Sequence, residues 1–301
     1  MILRRIVRRG RKTALAIADI PLRRALRSQS RPARAVLPLE DLPSRSALVV
    51  VAHPDDEAIA AGALLARLPR AGVICMTDGA PRVGNFARDA GFDNWMDYAA
   101  ARCGEAEAAL ALLGRAIAPM HNLGIADREA VFNLVAASRH LAHRLKSGFT
   151  HIITHAYEGG HPDHDSVAFC VHAASALIAK DGTAPPVIVE APLYNAPAGT
   201  FVYNRFLPHN DAGPVAAFRL SSAEQDLKRR MFECHATQRN VFTDFDVSEE
   251  KFRQAPRYHF SAPPHPGDAG YNQYMRPFTG RVWRRHAWRA MREMDVWREL
   301  A

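Results

Sequence analysis

The chain has 301 residues, 48% of them hydrophobic and 23% charged, with a formal net charge of +8. That length holds one large α/β domain or two small ones, and so much apolar content excludes a chain disordered throughout. No run approaches the roughly 18 consecutive apolar residues that a membrane-crossing helix needs.

The charge is unevenly placed. Residues 1–37 hold eleven Arg or Lys against one acid, Asp19, so the remainder of the chain is close to neutral. Ile2, Leu3, Ile6, Val7, Leu15, Ala18, Leu22 and Leu26 recur among the arginines at roughly helical spacing. Two readings stand: a helix lying on an anionic membrane face, or a solvated tail. Pro32, Pro38 and Pro43 mark a linker, so residues 1–45 read as basic arm and linker.

From Ser46 the pattern alternates between strand and helix. Ala47–Ala52 is a short, continuously apolar run, as expected of a parallel strand buried on both faces. Asp56–Leu68 has helical apolar spacing and stops at Pro69, and Val73–Thr77 reads as a second strand. Asp97–Leu113 is a helix closed by Gly114. Arg128–Lys146 is a helix, Thr150–Thr154 a strand, Ser166–Lys180 a helix and Val187–Glu190 a strand. Repeated βα units predict an α/β fold with a mostly parallel sheet and helices on both faces.

After Pro192 the pattern loosens. Ser222–Gln238 reads as a helix, residues 254–280 as a long loop rich in Pro, Gly, His and Tyr, and Arg281–Leu300 as a basic helix. Within that loop His265, Tyr271, Asn272 and Tyr274 are candidates for a lid or substrate wall. Trp283, Trp288 and Trp297 read as packing anchors. Residues 241–301 are expected to be an irregular C-terminal extension packed on a domain spanning 46–240. The four cysteines lie far apart with no CxxC pair, which argues against a cysteine zinc site or a disulfide framework.

The chemistry concentrates in two places. Val50-Val51-Ala52-His53-Pro54-Asp55-Asp56-Glu57 falls where a buried strand ends and a helix begins. In open α/β sheets ligands bind at that edge. Tyr157-Glu158-Gly159-Gly160-His161-Pro162-Asp163-His164-Asp165 follows a later strand and precedes a helix, so both clusters project from one edge. Either alone could be a helix cap or a turn. Together they make a His/carboxylate site that suits zinc, with iron(II) an alternative. Of the paired aspartates, one can bind metal while the other does acid–base work, and a further histidine can stabilise an oxyanion or protonate a leaving amine.

These two motifs resemble those of the LmbE-like, or PIG-L, family of deacetylases. Further matches are Thr77-Asp78-Gly79; a helix pattern of Arg102, Glu105, Ala109, Leu113 and Gly114; and Leu123-Gly124-Ile125-Ala126-Asp127, read as a loop after the third strand. The resemblance implies a Rossmann-like three-layer fold and zinc-dependent hydrolysis of the acetamide of an N-acetylglucosamine-like sugar. It implies His53, Asp56 and His164 as metal ligands, Asp55 as general base, and His161 as the group assisting the oxyanion or leaving amine. Asp163 would orient a histidine from behind. Asp78, Arg82 and Tyr157 are candidate substrate contacts. Where some relatives place a tyrosine, two residues before the first His of the second motif, this chain has Gly159.

The partner expected is a glycan, glycolipid or glycoconjugate amino sugar, met in the cytoplasm or at the inner membrane face through residues 1–37. The rival reading is a non-catalytic, metal-binding glycan-recognition protein, against which the intact Asp55 counts. Specific nucleic-acid binding is not expected, because the arm has no interleaved aromatics.

Overall fold

In the computed structural model, residues 46–301 are described, apart from 69 and 115–119. The basic-arm and linker readings lie outside the described residues.

The described chain runs β1 (Ala47–Val51), α1 (Asp56–Arg67), β2 (Gly72–Pro81), a one-turn α2 (Phe86–Asp89), α3 (Trp95–Ala111), β3 (His121–Asp127), α4 (Leu134–Leu145), β4 (His151–His155) and α5 (Pro162–Lys180). It continues through β5 (Val187–Ala191), the small hairpin β6 (Tyr194–Asn195) and β7 (Val202–Tyr203), β8 (Ala216–Arg219), α6 (Ser222–Cys234), β9 (Glu249–Gln254), α7 (Gly280–Glu293) and α8 (Trp297–Leu300). One seven-stranded sheet carries the order β3-β2-β1-β4-β5-β9-β8. Its first five strands pair in parallel, while β9 and β8 close the edge antiparallel. This is a Rossmann-like α/β fold.

The apolar run of β1 is divided between two cores. Leu48 and Val50 face α4, α5 and α7, whereas Val49 and Val51 face α1 and α3. A strand buried on both faces therefore needs no polar alternation. The strand order reverses between β1 and β4, whose register pairs Val50 with Thr154. At that reversal the C-terminal ends of two neighbouring strands open a crevice.

Several boundaries differ from the sequence reading. Leu123–Asp127 is part of β3 rather than a loop after it, since the run is edge-like and only Ala126 within it is buried. Helix α5 starts at Pro162, so the second motif occupies its first turn; the His161 ring caps it by accepting from Asp163 N, and proline suits the first helical position. The segment after 240 supplies a strand of the central sheet. Its α7 places Trp283 in the core, where the indole N–H donates to Pro162 O (3.1 Å) and Ser166 Oγ (3.0 Å). Trp288, by contrast, is 42% exposed. All four cysteines are free, and among the described residues no helix is long and apolar enough to cross a membrane.

Candidate active site

Two loops meet at the β1/β4 crevice. After β1, Asp55 N and Asp56 N both donate to His53 O (2.9 and 3.2 Å), and His53 N donates to Asp56 Oδ2 (2.8 Å). This closed turn holds His53 and Asp56 side by side. Asp55 stands at the N-cap position of α1 yet makes no side-chain capping bond. Its carboxylate instead accepts from Arg102 Nη2 at 2.7 Å. The capping alternative for this motif is therefore set aside.

After β4 the backbone must turn sharply. Gly159 has φ +72°, and a Cβ on Gly160 would lie 1.9 Å from Tyr194 O, so no side chain fits there. The turn brings His161 and His164 against the first loop.

The side chains converge on one carboxylate oxygen. Asp56 Oδ2 lies 3.2 Å from His53 Nδ1 and 3.5 Å from His164 Nε2. Donors around a tetrahedral ion with bonds near 2.1 Å stand about 3.4 Å apart, so these two separations match two edges of such a site; His155 Nε2 lies 3.4 Å from the same oxygen. His53, His161 and His164 can also present ring nitrogens within 4.8 Å of one another. Asp56, His155 and His164 form another such group, but His155 Nε2 already accepts from Ala52 N at 2.9 Å. Its other nitrogen then carries the proton, which removes His155 as a ligand. The His155 ring stacks on His164, 4.3 Å between centroids and 4° from parallel, and so fixes that ring's plane.

The electrostatics divide the histidines. Burial opposes charge on His53, but Asp127, with Oδ1 3.2 Å from His53 Nε2, and the hydrogen bonds to Asp163 and Asp56 raise its pKa well above the usual value. Burial, with His53 nearby, pulls His161 down to about 3. His164 is lowered as well, through burial. His161 is thus a neutral ring at neutral pH, and because Nδ1 accepts from Asp163 N (3.2 Å), its proton sits on Nε2. Burial works against ionised Asp56, yet the His164 ring beside it holds its pKa well below the usual carboxylate range.

Asp163 lies behind His53, with Oδ2 3.3 Å from Nε2. Its carboxylate also accepts from Arg128 N (2.5 Å) and Ala130 N (3.2 Å), tying the end of β3 to α5. Burial lifts it to about 6.

The remaining sequence candidates fall differently. Asp78 and Arg82 pair with each other at 2.5 Å, and Arg82 lies 3.7 Å over the Trp95 ring, outside the lining of the cleft. Tyr157 requires correction as a substrate contact. It is buried against Tyr258, Phe260 and Trp283, and its hydroxyl donates to Ala262 O, because its ring is worth more in the aromatic core than at a wet edge. Of the proposed wall residues, Tyr271 and Asn272 are buried in hydrogen bonds, His265 is buried, and Tyr274 lines a depression beside the cleft rather than the cleft itself.

Other residues of the site come from outside the two histidine motifs. Arg102 sits on the buried stripe of α3 with Tyr98, Ala99, Ala106 and Ala109, and a lone arginine on an apolar stripe was the readable signal. It also donates to Gly79 O. Asp127, which ends the matching run Leu123–Asp127, lines the cleft with Arg128 and Tyr194 beside His53, Asp55, Asp56, His161 and His164, and nothing in the local sequence marked Arg128 or Tyr194. The cleft encloses about 230 Å³.

Residues 48–175 match the family model described as PIG-L: GlcNAc-PI de-N-acetylase. No curated protein matches the chain. Among solved structures, the A40926 pseudoaglycone deacetylase Dbv21 is similar at 19% identity, covering 70% of this chain and 97% of its own, with a TM-score of 0.52. A deacetylase–bog complex from the teicoplanin biosynthesis pathway is similar at 17% identity over 69% and 96%, also with a TM-score of 0.52. A deacetylase triple mutant of the teicoplanin pathway is similar at 18% identity over 69% and 96%, at 0.53. At such identities the likeness speaks for the fold alone. Residues 48–175 thus carry the match to the PIG-L, or LmbE-like, family, and both histidine loops lie within that segment.

Proposed function

We propose that the protein is a metal-dependent N-deacetylase that hydrolyses the acetamide of an N-acetylglucosamine-like sugar. One observation carries the reading: His53 and His164, from two loops, each bring a ring nitrogen to within 3.2 and 3.5 Å of a single oxygen of Asp56, separations that match two edges of a tetrahedral site. Two imidazoles and a carboxylate, with space left in the cleft, suit zinc, and iron(II) fits the same donors. Held by His53, Asp56 and His164, the ion would supply Lewis acidity to a water molecule and to the amide carbonyl.

The chain's own groups account for the rest. Asp55 is the proton acceptor, and the proton it takes from water passes to the sugar nitrogen as the C–N bond breaks and acetate leaves. Arg102 clamps one of the Asp55 oxygens, which fixes the carboxylate's orientation and leaves the other oxygen for the nucleophilic water. His161, neutral and protonated at Nε2, donates a hydrogen bond to the oxygen that gains charge as the amide carbon becomes tetrahedral. Asp163 orients His53 from behind through Nε2. Asp127 brings a second carboxylate to the same edge and, with Arg128, reads the sugar's hydroxyls.

The test is acetate release from N-acetylglucosamine conjugates. A chelator should abolish it and zinc or iron(II) should restore it. His164→Ala should fail to retain stoichiometric metal. Full activity in protein shown by elemental analysis to be metal-free would overturn the reading.

A further inference from the structure

Away from the cleft, positive charge gathers on one face of the molecule. Helices α4 and α7 pack side by side and carry seven arginines between them, against a single acid, Glu293. On α7, Arg281, Arg285, Trp288, Arg289 and Arg292 are all exposed. In an α-helix these five positions fall within one arc of about 100° and span roughly 17 Å of the axis. The opposite arc holds Trp283, Ala287, Ala290 and Met291, all in the core. One side of α7 therefore packs, and the other is a cationic stripe with an indole set in it.

The fold makes no use of that stripe. Among the described residues Arg281, Arg285 and Arg289 make no hydrogen bond or ion pair. Arg281 stands in the first turn of α7, a turn without an acid, where the helix dipole disfavours a cation. Trp288 leaves 42% of its surface in water. Phe132, 58% exposed, stands beside the stripe with its ring edge-on to His286 at 5.1 Å. Between Phe132, Arg139, His286 and Arg289 the two helices leave a groove of about 400 Å³. Arg139, on its α4 side, meets only Glu293, at 3.9 Å.

We propose that this face docks on the surface of a bilayer containing anionic phospholipids. Arginine forks match lipid phosphates, and the Trp288 and Phe132 rings suit the head-group layer. A straight helical stripe can meet a flat surface along its whole length. A nucleic acid would satisfy the arginines, but stacking of a single strand calls for successive rings along its path, and Trp288 alone stands within the stripe. Helix α7 lies outside residues 48–175, so the docking face belongs to the C-terminal part of this chain and not to the segment that carries the family match. Residues 1–37 are basic too, so the decisive readout is Trp288 itself.

The full chain is mixed with vesicles of phosphatidylcholine, with and without phosphatidylglycerol, at about 0.1 M salt, and bound protein is measured by sedimentation. Binding should be confined to the anionic vesicles and should weaken as salt rises. The triple variant Arg281→Gln/Arg285→Gln/Arg289→Gln should bind them about a hundredfold less tightly, the combined weight of three surface arginines. Its thermal unfolding should match that of the natural chain, because the three side chains have no partners to lose. A second readout does not depend on that variant. In anionic vesicles whose phosphatidylcholine is brominated near the top of its acyl chains, the tryptophan emission of the natural chain should be quenched. In Trp288→Phe most of that quenching should vanish. A triple variant that binds as tightly as the natural chain, or quenching that persists in Trp288→Phe, overturns the proposal and places the contact elsewhere, in residues 1–37 or at Trp95. Failure to bind anionic vesicles overturns it as well. If the natural chain then binds a single-stranded RNA and the triple variant does not, the face is a nucleic-acid surface instead.

Discussion

The parallel strands and the antiparallel edge of this sheet are stabilised in opposite ways. In β1, β2 and β4 the buried positions are mostly apolar, and the groups that form the site follow the C-terminal ends of β1 and β4. At the other edge, β9 reads Glu-Glu-Lys-Phe-Arg-Gln and buries Glu250 and Arg253. Arg253 pairs with Glu190 of β5 at 2.6 Å. Glu250 does more. Helix α1 is broken at Ala61, whose φ is −151°, and the freed N–H groups of Ala63 and Leu64 donate to Glu250 at 2.8 and 2.9 Å. The freed Ile59 carbonyl accepts from Lys228 Nζ at 2.9 Å, and Lys228 in turn pairs with Glu250 at 2.8 Å. A buried ion pair from α6 and β9 thus fills a break in the helix that begins with Asp56. The comparison teaches that charge serves chemistry on one side of the sheet and repairs backbone on the other.

The largest predicted effect belongs to the first side. Asp55→Asn should keep its metal and its fold but lower kcat by about 10²–10⁴-fold, the usual weight of a positioned proton acceptor. Acetate-release kinetics with metal analysis check this, and an active Asn variant would remove Asp55 from the mechanism. Because Arg102 holds Asp55, Gly79→Ala should also slow turnover, by about tenfold. Its Cβ would lie 2.7 Å from the Arg102 guanidinium, at a residue whose φ of +73° already disfavours a side chain.

On the second side the expected effects are on stability. Lys228→Met should cost about 3–5 kcal/mol, since it leaves Glu250 charged and buried and Ile59 O unpaired. Urea unfolding measures it. A change under 1 kcal/mol would mean that water replaces the ammonium and that the helix break needs no ion pair. Trp283→Ala should cost a similar amount, about 3–5 kcal/mol, by opening a cavity between α5 and α7. If residues 241–301 were only an appendage, that substitution would be nearly silent.

The same contrast explains what could be read from the sequence. Ala47–Ala52 and Thr150–Thr154 announce strands because burial on both faces leaves only apolar residues, and the two histidine loops follow from those strand ends. Strand β9 carries no such signal: its buried Glu250 and Arg253 are satisfied by Lys228 and Glu190, partners distant in sequence, so no alternation survives. The cleft was legible where one loop supplies several groups, as His53 to Asp56 do. Residues recruited singly received no role: Asp127 from β3 and Arg102 from α3 stood only within matching patterns, and Tyr194 from the hairpin carried no mark at all. Tyr157 misled because a tyrosine next to a histidine motif looks functional, while its hydroxyl is engaged by Ala262 in the core.

The smallest effect concerns the joint between the two sides. Glu158, at the end of the β4 loop, accepts from the N–H groups of Leu193 and Tyr194 at 2.9 and 3.1 Å, tying the parallel half to the chain that follows it. Burial pushes its carboxyl up to about 8, despite those hydrogen bonds. The folded state therefore holds a proton that the unfolded chain, with an ordinary value near 4.5, has already released. The stability this gives is complete below the unfolded value and is lost as pH rises through the window from about 4.5 to about 8. The expected slope is on the order of 1 kcal/mol per pH unit near pH 6 to 7. Asp165, lifted by burial to about 7, slopes the same way and would persist in a Glu158 variant. Glu158→Gln keeps the shape and the acceptor oxygen but cannot ionise, so its stability should fall less steeply with pH than that of the natural chain. Chemical denaturation at half-unit steps from pH 5 to 8 resolves the two slopes. Parallel curves would mean that Glu158 is ionised in the fold, held by its N–H donors alone, and that the joint carries a charge after all.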